Sequence, residues 1–212
     1  MTQNHLSDEY ILSEIEKLKY LYGLNKVIRF NLTRKEEWQT QSVAEHVANM
    51  IYLAYYFREH EDPAKKLDFD KVIRLIMAHD LGEIETGDIL TVVKNDNDEK
   101  AEKEAIRRVK KKSPKFIADE IDALYDEFED PKSDEGKYAR AVDKFEGQLF
   151  WLEKEKVKAV LQAHKAAGVE TRIVHPIHMK KVFTMLDSYK FVAMKRFLEV
   201  VEQKKYSYGV IE

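Results

Sequence analysis

Apolar residues recur along most of the chain at spacings of three and four, the period of a helix with one buried face. Ile11, Ile15, Leu18 and Leu21 or Tyr22 form such a stripe in a first helix over about residues 8–24, with Ser7 as its N-cap. Residues 26–41 lose the periodicity and read as a long connection, KVIRFNLTRKEEWQTQ. Connections of that length inside a domain are more often functional than idle. Ser42-Val43-Ala44-Glu45 is a capping box, so a helix starts at Ser42 and runs through Val47, Met50, Ile51, Ala54 and Phe57 until Asp62-Pro63 breaks it. Val72, Ile73, Ile76 and Met77 mark the buried face of the next helix. Gly82 is a weak point in it and Gly87 its more natural end.

A polar loop follows, with Asn97 or Asp98 as the cap of a helix over Glu99 to Lys112. Ser113 and Pro114 suit the N-cap and first position of another helix, whose buried face is Phe116, Ile117, Ile121, Leu124, Tyr125 and Phe128. Tyr138, Val142, Phe145, Leu149 and Leu152 give a longer helix from about Ser133 to Val157 or beyond. Val182, Leu186, Tyr189, Phe197 and Val201 give a final one over roughly 177–205, which closes the core or pairs with a second subunit.

Composition agrees with this pattern. With 212 residues, 7 Gly, 4 Pro and 35% charged residues, the chain fits one all-α domain better than a turn-dense β fold. The absence of cysteine excludes disulfides and thiolate metal sites, leaves His and carboxylates as the strong ligands, and suits a cytoplasmic protein. No apolar run reaches the roughly 18 residues of a membrane span, and MTQNHLSDEYIL lacks the order of a signal peptide. A net charge of -3 makes a nucleic acid polymer an unlikely default partner.

The candidate chemistry centres on IRLIMAHDLGEIETGD, where His79 and Asp80 end an apolar helical run. A buried histidine beside a buried carboxylate needs a metal, a mutual partner or another polar group. If the helix continued through Gly82, His79 and Glu83 would stand one turn apart on one face, and with Asp80 and Asp88 they would share one cavity. His46 falls in the first turn of its helix; a lone histidine there is more often a core residue, but His79-Asp80 on a second helix shifts the odds. Asp143 lies beside the stripe of the long helix, where either a site or a salt bridge to Arg140 or Lys144 would satisfy it. Arg29, Arg34 and Lys35 beside Phe30 and Trp38 suit a phosphate and a stacked base, against the ordinary reading of a surface loop. His175 and His178 have a ligand-like spacing, but Pro176 favours a helix start. The basic run at Arg107 to Lys112 reads as a solvated helix end, and Asp96 and Asp98 do not continue into a calcium loop.

Two imidazoles and two carboxylates from three helices suit one divalent ion of the Mn, Fe, Co, Ni or Zn kind, with Mg also a candidate. The order H…HD…D resembles the HD-domain metal-dependent phosphohydrolases, an all-helical family. SVAEH, HDLGEIETGDI and VDKFE resemble its 5'-deoxyribonucleotidase branch over about Leu18 to Lys156, with residues 157–212 left as a helical extension of a single HD domain. The resemblance implies His46, His79, Asp80 and Asp143 as metal ligands and Glu83 and Asp88 as catalytic residues. It implies Arg29 as phosphate ligand, with Arg34 as rival, and Phe30 against the nucleoside. It also implies a nucleotide substrate and a homodimer. In chemical terms Asp88 would orient or deprotonate water and Glu83 would protonate the leaving 5'-oxygen, with the reverse assignment open. The expected function is hydrolysis of deoxyribonucleoside 5'-monophosphates. The alternatives are release of pyrophosphate or triphosphate from nucleotides by a related HD hydrolase, and a non-catalytic nucleotide-sensing HD module.

Overall fold

The computed structural model of the protein describes residues 8–31, 40–91 and 93–207. Among them lie α1 (Asp8–Leu21), α2 (Val43–Glu61), α3 (Phe69–Ala78), α4 (Glu83–Thr86), α5 (Asp96–Lys112), α6 (Lys115–Ala118), α7 (Ile121–Glu129), α8 (Asp134–Phe150), α9 (Lys154–Ala166), α10 (Thr171–Tyr189) and α11 (Val192–Ser207). Short 3-10 turns cover Tyr22–Asn25 and Arg29–Asn31. No strand occurs among the described residues, and a single antiparallel bridge joins Ile28 to Ser42. The all-α class expected from the pattern is the one observed. No helix among the described residues is long and apolar enough to cross a membrane.

The core forms where α8 passes between the other helices, touching α2, α3, α7, α10 and α11. Small residues on α8, Ala139 and Ala141, let its neighbours approach, and Val142 and Phe145 fill the space with Met50 and Phe57 of α2 and Leu75 and Ile76 of α3. Tyr138 is fully buried, and its hydroxyl donates to the Ala54 carbonyl at 2.7 Å, so the ring brings no unsatisfied polar atom into the core. The middle of α8, and with it Asp143, is thereby held deep in the molecule.

Ser42 caps α2 as its sequence requires. Its hydroxyl accepts from the Glu45 N–H at 3.2 Å while the Glu45 carboxylate accepts from the Ser42 N–H at 2.6 Å. Because this cap fixes the first turn that carries His46, Ser42→Ala should cost about 1 kcal/mol, read as a lower denaturation midpoint with an unchanged m-value.

Several boundaries differ from the expectation, each for a local reason. The buried face of α3 is Val72, Leu75 and Ile76, spaced three and four apart, which turns Met77 outward to 52% exposure. The cap of α5 is Asn95, whose side chain accepts from the Asn97 N–H at 2.9 Å while Asp98 accepts from the Asn95 N–H at 3.0 Å. The helix expected over Phe116 to Phe128 is two, α6 and α7, and Phe116 is exposed. The long helix from Ser133 stops at Phe150, and Trp151 to Glu153 turn the chain into α9. Gly168, at φ 71°, closes α9 with the Val169 N–H reaching back to the His164 carbonyl at 2.8 Å, the pattern of a left-handed helix stop. The C-terminal stretch is helical, but Lys190 at φ 64° divides it into α10 and α11. Pro176 lies inside α10 rather than at its start. Ile11, Ile15 and Leu18 of α1 are exposed rather than packed, and Ser7 lies outside the described residues.

Candidate functional site

Three helices converge on one buried point. His46 comes from the first turn of α2, Asp143 from the middle of α8, and His79 and Asp80 from the turn that ends α3. The helix does not run through Gly82. It stops at Ala78, and a turn over residues 79–82, with the Glu83 N–H on the Asp80 carbonyl at 3.0 Å, leads into the one-turn α4. A Cβ on Gly82 would lie 3.4 Å from Ile106 and from the Glu102 carbonyl, so the turn packs closely against α5 at this residue. Gly87, at φ 74°, ends α4 and sets the direction of Asp88.

Each imidazole is tied down through Nδ1. His79 Nδ1 lies 2.8 Å from the Ile76 carbonyl, an acceptor only, so Nδ1 carries the proton and donates. His46 Nδ1 lies 2.6 Å from Glu146 Oε2 and 2.8 Å from Arg29 Nη1, so it is engaged by this ion pair on the flank of the site. Both Nε2 atoms are buried, and neither has a hydrogen-bond partner among the described residues. Ligating atoms of His46, His79 and Asp143 lie within 4.8 Å of one another. Asp80 Oδ2 stands 3.0 Å from His79 Nε2 and 3.8 Å from His46 Nε2, and Asp143 Oδ1 3.3 Å from His46 Nε2. Two unpartnered imidazole nitrogens facing two carboxylates, with their other nitrogens tied down, are a donor set that fits a divalent transition-metal ion.

The charges fit as well. Burial raises the pKa of Asp80, but the His79 imidazole more than offsets this and takes it down to about 2. Burial likewise works against ionised Asp143, yet Lys144 and then His46 hold its pKa well below the carboxylate range. Burial and Arg29 oppose charge on His46, but Asp143 and Glu146 outweigh them and raise its pKa, so the surroundings favour positive charge here. The two readings of Asp143 turn out to be compatible. Its Oδ2 accepts from Lys144 Nζ at 2.7 Å while Oδ1 faces His46, and Arg140 instead donates to the Phe128 and Glu129 carbonyls.

Glu146 was not singled out as a site residue, and it organises the flank of the site. Its Oε2 accepts from His46 Nδ1 and, at 3.1 Å, from Arg29 Nη1, and its carboxylate also receives Gln41 Nε2 at 3.2 Å and Asn49 Nδ2 at 3.3 Å. The signal lay in VDKFE, where Glu146 follows Asp143 by three positions and so shares its helix face.

Glu83 has a buried Oε2 with no hydrogen-bond partner among the described residues. Burial, then the negative charges of Asp80 and Asp88, push its pKa well above the usual range, so the surroundings favour its protonated form. Asp88 Oδ2 accepts from the Phe30 N–H at 2.6 Å. Phe30 sits at φ 66°, ψ 22°, a left-handed conformation rare for an aromatic residue, with its ring stacked on Phe150 at 5.5 Å. Arg29 is anchored by its own N–H on the Gln41 carbonyl at 3.0 Å. Burial disfavours its charge, but Glu146 and then Asp88, Asp80 and Asp143 raise its pKa. Arg34, Lys35 and Trp38 lie outside the described residues.

Arg29, Phe30, Asp88 and Asp143 border one cleft that is open to solvent at its mouth. Gly147, Gln148, Trp151, His164, His175 and His178 also line it, so α9 and α10 contribute to it alongside the segment after Asp88. His175 and His178 do not join the imidazoles of α2 and α3: His175 Nε2 donates to Glu202 Oε2 at 2.7 Å, and burial takes the His178 pKa down to about 4.

This chain is similar to proteins of known name. The mouse 5'-deoxynucleotidase HDDC2 is 28% identical over 131 residues, 61% of this chain and 63% of the relative. The Dictyostelium discoideum protein of that name is 32% identical over 121 residues, 55% of this chain and 64% of the relative. The chain thus spans somewhat less than two thirds of the length of these two curated relatives. A crystal structure from Magnetospirillum magnetotacticum, described as a predicted metal-dependent phosphohydrolase, superposes with a TM-score of 0.70 at 20% identity, covering 95% of this chain and 97% of the other. A conserved hypothetical protein from Pyrococcus furiosus follows with a TM-score of 0.57 at 19% identity, covering 91% and 99%. These two share the fold. The HD domain family model matches residues 22–182, a span that starts before Arg29 and ends within α10, and by that match the chain belongs to the HD domain family.

Proposed function

We propose that this protein is a metal-dependent phosphomonoesterase that hydrolyses deoxyribonucleoside 5'-monophosphates to deoxyribonucleoside and phosphate. The single observation that carries this reading is the pair of buried, unpartnered Nε2 atoms of His46 and His79 facing Asp80 and Asp143, beside the buried guanidinium of Arg29. The relatives named 5'-deoxynucleotidase supply the substrate class.

His46, His79, Asp80 and Asp143 would hold one divalent ion. Such an ion supplies positive charge to a phosphoryl oxygen and favours ionisation of water. Arg29 offsets the charge that builds on the remaining phosphoryl oxygens. A water oxygen attacks phosphorus, the bond from phosphorus to the 5'-oxygen breaks, and the departing oxygen takes a proton. Of the two assignments open in the sequence, the raised pKa of Glu83 favours it as the group that gives this proton, and leaves Asp88 to orient water or accept its proton. Phe30, with its ring edge-on to Trp151 at 6.3 Å, offers an apolar surface to the nucleoside.

The experiment is phosphate release from deoxy and ribo 5'-monophosphates, with triphosphates beside them, in Mn, Co and Mg, for wild type and Asp80→Ala. Release of phosphate from the deoxy monophosphates that needs metal and vanishes in Asp80→Ala is the expected result. Release of pyrophosphate or triphosphate would replace the reading with the related nucleotide hydrolase, and a metal-loaded protein without turnover would replace it with a sensing module.

A further inference from the structure

One helix face runs from the metal end of the cleft to its far end. Asp143, Gly147 and Trp151 follow one another at four-residue spacing on α8 and its last turn, and all three line the cleft. The middle position is bare. A Cβ built on Gly147 would meet no atom within 4 Å, although glycine inside a helix is less favourable than alanine. No described residue fills the space above it, so the cleft floor is flat between the metal end and the aromatic end.

Gln148 borders that floor and is 7% exposed. Its Oε1 accepts from Lys205 Nζ at 2.8 Å. Lys205, 1% exposed, also donates to Glu202 Oε1 at 2.8 Å and lies 5.5 Å over the Trp151 ring, while Glu202 accepts from His175 through its other oxygen. An ammonium only donates, so the amide cannot flip: its oxygen must face Lys205, and its NH₂ must face away. No hydrogen bond joins that nitrogen to a described residue, and it is not among the fully buried unpartnered atoms, so it is left accessible where Gln148 lines the cleft. A buried amide has been fixed with its donor side unused at the edge of a cleft whose floor is kept empty. Nothing in the hydrolytic step uses Gln148 or Lys205.

We propose that Gln148 recognises the nucleobase by donating from Nε2 to an acceptor on the ring, a carbonyl oxygen or ring nitrogen, and that Lys205 is the positioning residue that holds the amide in that sense. This rests on the nucleotide reading of the cleft. The phosphate lies at the Asp143 end, the sugar crosses Gly147, and the base stands between Gln148 and the rings of Phe30 and Trp151.

The test compares kcat/KM for deoxyribonucleoside 5'-monophosphates with that for 2-deoxyribose 5-phosphate, which carries the same ester and no base, using the metal-loaded full chain. Its readout is the ratio of the two, which partial loss of folded protein does not move. Gln148→Leu removes the donor, and Gln148→Glu keeps the shape and the Lys205 contact but presents an acceptor instead. Both should lower the ratio about tenfold, mainly through KM for the nucleotide, and Lys205→Met should lower it in the same direction. An unchanged ratio in both Gln148 variants, with wild type active on nucleotides, overturns the base contact alone. A wild type that hydrolyses neither compound overturns the nucleotide reading and this inference with it.

Discussion

Glu83→Gln is expected to lower kcat by about 10²–10⁴-fold while the protein keeps its metal and becomes more heat-stable near neutral pH. The loss follows because glutamine keeps the shape but has no proton to give to the departing oxygen. The gain follows from the same group. In the folded chain its pKa is raised well above the usual 4.5, first by burial and then by Asp80 and Asp88. Below 4.5 the carboxyl is neutral in both folded and unfolded chains and costs nothing. As pH climbs from there towards the folded-state pKa, only the unfolded chain ionises freely, and stability is lost across that window. Glutamine escapes the loss. The difference in melting temperature between variant and wild type should therefore be close to zero below about pH 4.5 and grow as the pH rises above it. Wild-type kcat should fall on the alkaline side as Glu83 gives up its proton. A variant that released its metal would make Glu83 a ligand, and a pH-independent difference in melting temperature would remove the buried proton from the account.

Glu146→Ala is expected to have the largest effect on stability, about 3–5 kcal/mol, and to weaken metal binding by about 10–100-fold. Arg29 would keep a buried guanidinium whose closest anion is gone, His46 Nδ1 and Gln41 Nε2 would lose their carboxylate partner, and Asn49 Nδ2 would be left with Gln41 Oε1 alone. Glu146→Gln should cost less, since an amide oxygen still accepts from His46 although the charge opposite Arg29 has disappeared. Denaturant titration of the metal-free proteins separates the stability effect from metal affinity, which calorimetry reads on the same samples. Wild-type stability in Glu146→Ala would show that the Arg29 charge is balanced by Asp80, Asp88 and Asp143 instead.

The sequence was most readable where a short-range rule settled the matter. The capping box at Ser42 depends on four residues, and helical spacing was enough to identify the class and to mark Val142 and Phe145 of the core. His46, His79, Asp80 and Asp143 stood out as candidates because each is a polar residue set beside an apolar run, and the resemblance to the HD-domain phosphohydrolases implied them as one set. The interruptions were less legible. Trp151 to Glu153 and Lys190 carry neither glycine nor proline, so the turns there are imposed by packing and not by local chemistry. The same holds for α1, whose periodic stripe says which residues share a face but not whether that face meets the rest of the chain. Glu146 escaped notice because a charged residue next to the core reads as a solvated edge until the 2.6 Å contact to His46 is seen. The contact between Lys205 and Gln148, 57 residues apart, has no sequence rule behind it at all.

Phe30 and Asp88 stand 58 positions apart, and one hydrogen bond joins them. A left-handed aromatic residue is strained by about 1–3 kcal/mol, and the carboxylate is one of the contacts that hold the bend after Arg29, with the Arg29 N–H on the Gln41 carbonyl and the Phe30 ring on Phe150. The bend and the carboxylate therefore behave as a latch: if the segment that carries Arg29 opened, the aspartate would lose its contact with the Phe30 N–H, and if the aspartate swung away, that strained segment would lose one of its restraints. An alanine at position 88 would remove a reactive group and release a spring in the same stroke, whereas an asparagine, whose carbonyl oxygen still accepts from the Phe30 N–H, would keep the latch shut.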